Sequence, residues 1–306
     1  MNFMNTSAQA VICADDFAIN DSVSTAIVSL AKAKKISATS VHSLSPLWKF
    51  HAPMLKAHHG TLDVGLHLDF TSEYAVQAGY GATLNSVLLR STLRRFNQSN
   101  LEIIIESQLN DFESVWGSPP DHLDGHQHVH QFPVIRSALA RVLKNRYGAS
   151  KHKPWLRVSQ VLPRNFKSSV ITLSGAKAFS DKLLELDFPF TPVLLGVYNY
   201  DLNTADYRQS FKKWLQLVYS VQAKELKELN EQSEQGVRVL AALTTPQPFS
   251  IMCHPGAAAS VDDVIGRARL AEFEYLSSNL LELDLQAAGV SVVRASEVFR
   301  NNFKTL

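Results

Sequence analysis

Acidic and imidazole side chains gather in four places along this chain: Asp15-Asp16, His67 with Asp69, the run from His122 to His130, and His254-Pro255-Gly256. Carboxylates and imidazoles at this density suit a divalent cation flanked by a base and an acid, which is what hydrolysis of an amide or ester needs. Keeping Asp15 and Asp16 both ionised in a half-buried site costs energy unless a cation or a protonated partner compensates. One therefore reads as a metal ligand and the other as a base, although strand alternation would aim them in different directions. Capping of the following helix would account for only one of them. His67, in the apolar stretch Val64-Gly65-Leu66-His67-Leu68, reads as a hydrogen-bonded core residue when taken alone. It becomes a ligand candidate because other candidates end other strands. His122, Asp124, His126, His128 and His130 recur with period two, so in a strand all five would share one face. Gly125 marks the end of that strand. Asp124 and His126 are then expected to face inward, with His128 and His130 lining the mouth or supporting the ligands. His254 sits at a strand-to-loop corner, where an imidazole with a pKa near neutrality suits general-acid work. Cys13 and Cys253 lie inside apolar strands and read as structural.

These side chains need strand ends to carry them. Strand-like stretches at 10–15, 37–42, 62–70, 120–126, 154–158, 192–198, 248–253 and 289–293 alternate with helical patterns. Asn20 or Asp21 caps a helix with Val23, Ile27, Leu30 and Ala31 on one face. Pro46 opens a second helix, and a long one covers 101–116. About eight βα-like units without a linker predict an α/β fold, a single distorted TIM-like barrel over residues 1–306 with its chemistry beyond the strands' carboxyl ends. Two stretches do not fit a minimal barrel. Residues 71–100 look like an irregular excursion. The other is an insertion at 221–247, which carries Lys224, Glu225, Lys227, Glu228, Glu231 and Glu234 on a solvated helical face.

With 306 residues, 45% hydrophobic and 19% charged, the chain has material for a sizeable core, and disorder and coiled coil are excluded. A net charge of +2 with scattered basic residues argues against a nucleic-acid partner. Two cysteines cannot build a disulfide framework, which points to a reducing compartment. The opening MNFMNTSAQAVICADD lacks the parts of a signal peptide, and no apolar run approaches the ~20 residues of a membrane span. A cytoplasmic protein is expected.

Four blocks, ADDF at 14–17, VGLHLDFT at 64–71, PDHLDGHQHVHQFP at 120–133 and IMCHPG at 251–256, give the chain a family likeness. It resembles the ChbG/YdjC-like carbohydrate deacetylases, distant relatives of the NodB-type polysaccharide deacetylases. The resemblance implies one Mg²⁺ or Zn²⁺ held by Asp16, His67 and His126, with Asp15 as the base that activates water and His254 as the acid. It implies that Arg157 orients a catalytic carboxylate and that Asp124 backs a ligand histidine. The substrate would be an N-acetylated sugar, with chito-oligosaccharides the familiar class, and a homodimer is compatible with the family. His128, His130 and Tyr198 are candidates for supporting the ligands or touching substrate; Tyr198, Tyr200 and Trp155 could stack on sugar rings. Where the family usually has glycine after ADDF, this chain has Ala18. The 71–100 and 221–247 segments are expected to set substrate choice. Three rival readings stand beside this one. A non-haem iron oxygenase could use His122, Asp124 and His254 as a facial triad. An amidohydrolase or phosphatase could use the His126-x-His128 pattern. A non-catalytic relative could keep sugar or metal binding alone.

Overall fold

A computed structural model describes residues 8–162, 171–234, 247–259 and 263–302, with only the backbone of 223–234 and 302. Its strands are β1 (Ala8–Phe17), β2 (Ala38–Val41), β3 (Asp63–Leu68), β4 (His122–Gly125), β5 (Trp155–Arg157), β6 (Phe190–Thr191), β7 (Leu194–Leu195), β8 (Phe249–Cys253) and β9 (Val290–Val292). The order is β6-β5-β4-β3-β2-β1-β8-β7, with β9 also on β1, and every pairing is parallel. This eight-strand path curls into a nearly closed barrel. The helices are α1 (Asp21–Lys32), α2 (Leu47–Lys56), α3 (Glu73–Gln77), α4 (Leu84–Thr92), α5 (Gln98–Trp116), α6 (Ile135–Tyr147), α7 (Ala176–Glu185), α8 (Thr204–Glu234), α9 (Gly266–Ser277), α10 (Leu280–Ala288) and α11 (Ala295–Asn302). None of them is long and apolar enough to cross a membrane, among the described residues.

Local chemistry explains the elements. All of β1 except Gln9 is buried, as a strand covered on both faces requires, hence its near-continuous apolar run. Asn20, rather than Asp21, caps α1: its Oδ1 accepts the Val23 N–H at 2.9 Å. Val23, Ile27, Leu30 and Ala31 are buried beneath that helix. The 71–100 stretch is not irregular. Ser72 caps α3 and Thr83 caps α4, each accepting backbone N–H groups, two starts hidden in a polar stretch without apolar periodicity. The charged side chains of 224–234 and all of 235–246 lie outside the described residues.

Of the expected strand at 192–198 only β7 (Leu194–Leu195) forms, and β6 (Phe190–Thr191) is a separate strand just before it. Pro192 has no N–H to give the ladder, and Gly196 follows at φ 95°. This stretch is the seam of the barrel. Leu194 N–H donates to Gln160 O at 2.9 Å on one side, and Ser250 N–H donates to Val193 O at 3.0 Å on the other. Both sheet edges are thus served by one short segment.

Gly65 in β3 lets the barrel interior pack. A Cβ there would lie 2.4 Å from three ring atoms of His122, whose ring is also stacked on Trp155 at 4.4 Å. The imidazole has nowhere to retreat. Gly65→Ala is expected to cost about 1–3 kcal/mol by overpacking, read from the midpoint of urea unfolding; an unchanged midpoint would contradict this packing.

Candidate metal and catalytic site

The site begins with a slip in β1. Cys13 and Ala14 pair with Ala38 and Thr39, but Phe17 pairs with Val41, so β1 holds one residue more than β2 between these points. Asp16 takes up the slack at φ 72°, a left-handed conformation that aspartate tolerates better than most residues. Such a bulge re-aims side chains. Asp15 and Asp16 therefore both reach the barrel mouth, where regular alternation would have separated them.

Asp16 Oδ1 is the hub. His42 Nε2 lies 3.1 Å from it, His126 Nδ1 3.3 Å and His67 Nε2 3.5 Å. Its other oxygen accepts a hydrogen bond from Arg269 Nη2 at 2.7 Å. The ligand atoms of Asp16, His42, His67 and His126 all fall within 4.8 Å of one another. The three residues expected to hold a metal are thus brought together, and His42 joins them. Behind the imidazoles stand more carboxylates: Asp124 Oδ1 lies 2.6 Å from His67 Nδ1, and Asp69 Oδ2 lies 3.4 Å from His42 Nδ1. Buried carboxylate and imidazole donors, with His67 hydrogen-bonded from behind by Asp124, fit a divalent cation.

Beside this cluster Arg157 grips Asp15 with two hydrogen bonds of 2.7 Å and meets Asp124 Oδ2 at 3.0 Å. Asp124 also accepts a hydrogen bond from Ser40 at 2.5 Å. His254 Nε2 is 3.9 Å from Asp15 Oδ2, and Tyr200 packs edge-on against its ring. Arg157, Asp15, Asp124 and His254 are all buried.

The His122–His130 run departs from a long strand. β4 stops at Gly125, and a 3₁₀ turn follows in which Gln127 and His128 adopt φ 52° and 61°. The reversal delivers His126 to Asp16 and carries its neighbours elsewhere. His128 Nδ1 pairs with Ser159 Oγ at 3.1 Å, and His130 Nε2 donates to the Arg157 carbonyl at 2.8 Å. His130 is therefore buried behind Arg157 rather than lining the mouth. Tyr198 donates its hydroxyl to Glu272 at 2.6 Å. Trp155 is a core residue, stacked on His122 and donating to Asp63 at 3.0 Å; it is not placed to meet a sugar. Cys13 and Cys253 are free and buried. Among the described residues His122 and Asp124 gather with Cys13 rather than with His254, so the facial triad does not form. Ala18 sits at φ 69°, a conformation that favours glycine, and its N–H donates to Ser24 Oγ at 3.0 Å.

Electrostatics follow from burial and these partners. Burial pushes the Asp16 carboxyl up, but Arg269 and the bonds from His126 and His42 outweigh it and hold the group well below the usual carboxylate range. For His42 burial works downward, yet Asp16 and Asp69 raise it to about 10. His254 differs from expectation: burial pushes it down to about 4 against the raising effect of Asp16 and Asp15, so the imidazole is neutral at pH 7.

Glu272, on α9 one turn beyond Arg269, accepts the Tyr198 hydroxyl and, at 2.5 Å, the His254 N–H. Burial raises it from 4.5 to about 7, against those hydrogen bonds. It binds its proton more tightly folded than unfolded, so its contribution to stability is fully present below pH 4.5 and is lost as pH rises through about 7. The stability of the wild type relative to Glu272→Gln should fall by up to about 3 kcal/mol between acid pH and about pH 8. Parallel stability–pH curves for the two proteins would contradict this.

His42, Arg269 and Glu272 were not anticipated. His42 ends a strand candidate like His67 does, and that position was its signal. Arg269 and Glu272 sit three apart on a helix far along the chain, and nothing local marks them.

A family model described as YdjC-like protein matches residues 9–287. A carbohydrate deacetylase of Danio rerio is 29% identical over 171 residues, covering 51% of this chain and 54% of that protein. A chitooligosaccharide deacetylase of Yersinia pestis (strain Pestoides F) is 28% identical over 136 residues, 42% of this chain and 53% of that protein. The chain spans about half the length of the curated relatives it matches. Among solved structures, a proposed cellobiose-phosphate cleavage protein of Enterococcus faecalis V583 aligns with a TM-score of 0.67 at 18% identity. That alignment covers 96% of this chain and 99% of the other, a likeness of fold.

Proposed function

We propose, from the premise that this chain belongs to the YdjC-like protein family, that it is a metal-dependent hydrolase removing acetyl groups from N-acetylated sugars. Relatives named carbohydrate deacetylase and chitooligosaccharide deacetylase support an acetylated sugar of the chito-oligosaccharide class as substrate. The observation that carries the reading is the adjacency of two units: the donors around Asp16, and an Arg157-held Asp15 with His254 3.9 Å beyond it.

Asp16, His67 and His126 would hold the cation, either Mg²⁺ or Zn²⁺. When bound, the cation polarises the acetyl carbonyl and makes water a competent nucleophile at neutral pH. Arg157 fixes the plane of Asp15 by holding both of its oxygens. Asp15 then accepts the proton of the attacking water at a lone pair the guanidinium does not use. A neutral His254 presents Nε2 close enough to take that proton after a small movement and hand it to the departing nitrogen. The leaving amine is thus protonated by the same proton the nucleophile gave up. Asp124 keeps the far nitrogen of His67 occupied, so that its Nε2 faces Asp16. Two free, buried cysteines support a cytoplasmic setting.

Acetate release from di-N-acetylchitobiose, measured on metal-stripped protein reloaded with Zn²⁺ or Mg²⁺, tests the reading. Release that requires the metal is the expected result. Metal binding without acetate from any of a panel of N-acetylated sugars would overturn it in favour of a binding protein.

A further inference from the structure

We infer that His42 is a fourth protein donor to the cation, so that the site is built of one carboxylate and three imidazoles and selects a zinc-like metal over Mg²⁺. The inference rests on the metal-site reading above and adds to it a ligand and a metal class.

Three distances carry it. From Asp16 Oδ1 the nitrogens of His42, His126 and His67 lie at 3.1, 3.3 and 3.5 Å. Ligands about 2.0–2.1 Å from a tetrahedral Zn²⁺ stand about 3.3 Å apart. His42 is thus as well placed as the two other histidines, and its separation from the hub is the shortest of the three. The rings are also mutual neighbours: the His42 centroid is 5.2 Å from that of His67 and 5.0 Å from that of His126, and the last two are 5.5 Å apart. Asp69 Oδ2 faces Nδ1 of His42 at 3.4 Å, an ion-pair contact rather than a hydrogen bond, while Nε2 faces the hub. Asp124 stands closer against Nδ1 of His67, at 2.6 Å, as outer partners of ligating imidazoles do. Asp69 is fixed in turn by the backbone N–H groups of Thr71 and Ser72, each at 2.9 Å. Arg269 takes the second oxygen of Asp16, which leaves Oδ1 as the oxygen offered to a metal.

This donor set separates cations. Mg²⁺ demands oxygen ligands and retains its waters, whereas imidazoles suit Zn²⁺ and its transition-metal neighbours. Four protein donors leave a catalytic site open only if coordination expands to five. The side chains of Asp16, His42 and His67 are at most 2% exposed, while that of His126 is 19% exposed. The remaining position therefore opens on the His126 side.

The test compares Zn²⁺ affinity, by competition with a chromophoric chelator, and the visible absorption of the Co²⁺-loaded protein. The wild type, His42→Gln, His42→Ala and His126→Ala are each checked for folding in the stripped state. Glutamine keeps an N–H for Asp16 but is a poor ligand, so it separates coordination from hydrogen bonding and covers the case in which the alanine variant does not fold. Losing an outer partner of a metal ligand costs about 10–100-fold in affinity. His42→Gln is expected to lose more than about 100-fold and to alter the Co²⁺ bands, with millimolar Mg²⁺ failing to displace Zn²⁺ from the wild type. Wild-type affinity and bands in His42→Gln, alongside a loss in His126→Ala, would overturn the fourth ligand while leaving the three-residue site intact. Displacement of Zn²⁺ by Mg²⁺ would overturn the selectivity. A wild type that binds no better than His126→Ala would overturn the metal site itself, and the inference with it.

Discussion

Arg157→Met is expected to lower the free energy of unfolding by about 3–5 kcal/mol, the cost of leaving buried charge without its partner. The guanidinium is fully buried and touches two carboxylates, Asp15 through both oxygens and Asp124 at 3.0 Å. Asp15 and Asp124 are themselves 2% and 1% exposed, so water cannot take over the role of the lost cation. Methionine fills much of the arginine stem's volume, which keeps the loss electrostatic rather than a matter of a cavity. Two further signatures distinguish this cause from simple misfit. The deficit should narrow in acid, where protonating one carboxyl relieves the pair. It should also shrink when a divalent cation is added, since positive charge returns beside Asp16. Urea unfolding followed by tryptophan fluorescence measures all three, and a loss below about 1 kcal/mol would show that the carboxylates do not need the guanidinium.

Asp15→Asn is expected to lower turnover by about 10²–10⁴-fold, the range that a positioned general base contributes. Metal affinity should change far less than on loss of His126, because the Asp15 carboxylate is held by Arg157 and stands outside the Asp16, His42, His67 and His126 group, although one of its oxygens lies within 4.8 Å of a His67 nitrogen. Asparagine also presents an amide N–H₂ to one of the Arg157 donors, so some stability is lost, and activity must be expressed per folded molecule. His126→Ala is the contrasting variant: it should lose acetate release and metal together. Full activity in Asp15→Asn would remove Asp15 from the proton path and leave the base to be sought elsewhere.

The barrel was legible from the sequence because parallel strands buried on both faces read as short apolar runs, and the eight expected runs lie on observed strands. Where Pro192 and Gly196 interrupt the ladder, the expected run shrinks to the two residues of β7. Helix starts were legible only where a cap precedes apolar periodicity, as at Asn20; Ser72 and Thr83 cap short helices with little such periodicity. In the site, residues that end strands were readable as candidates, since the fold fixes which end faces the ligand. Their exact company was not. Regular alternation would have parted Asp15 from Asp16, and only the one-residue slip in β1 reunites them. A continued strand would have kept His128 and His130 in line with Asp124, but two left-handed residues turn them away. Arg269 and Glu272 come from a helix whose sequence carries no sign of what lies opposite. The shift of His254 depends on its surroundings rather than on its type, so sequence offers only the ordinary value.

The placement of β1 has a consequence for the order of assembly during synthesis. Its one edge meets β2 within a few dozen residues, but its other edge must wait for β8, and the seam cannot be joined until that same strand arrives. At typical translation rates the interval is on the order of ten to fifty seconds. Throughout it a nascent chain carries an apolar strand with an unfilled row of hydrogen-bonding groups, the kind of edge that recruits foreign strands. Recovery of native protein in the cell should then depend on how fast the stretch between β2 and β8 is translated, and a pause before residue 249 should favour aggregates over finished barrels.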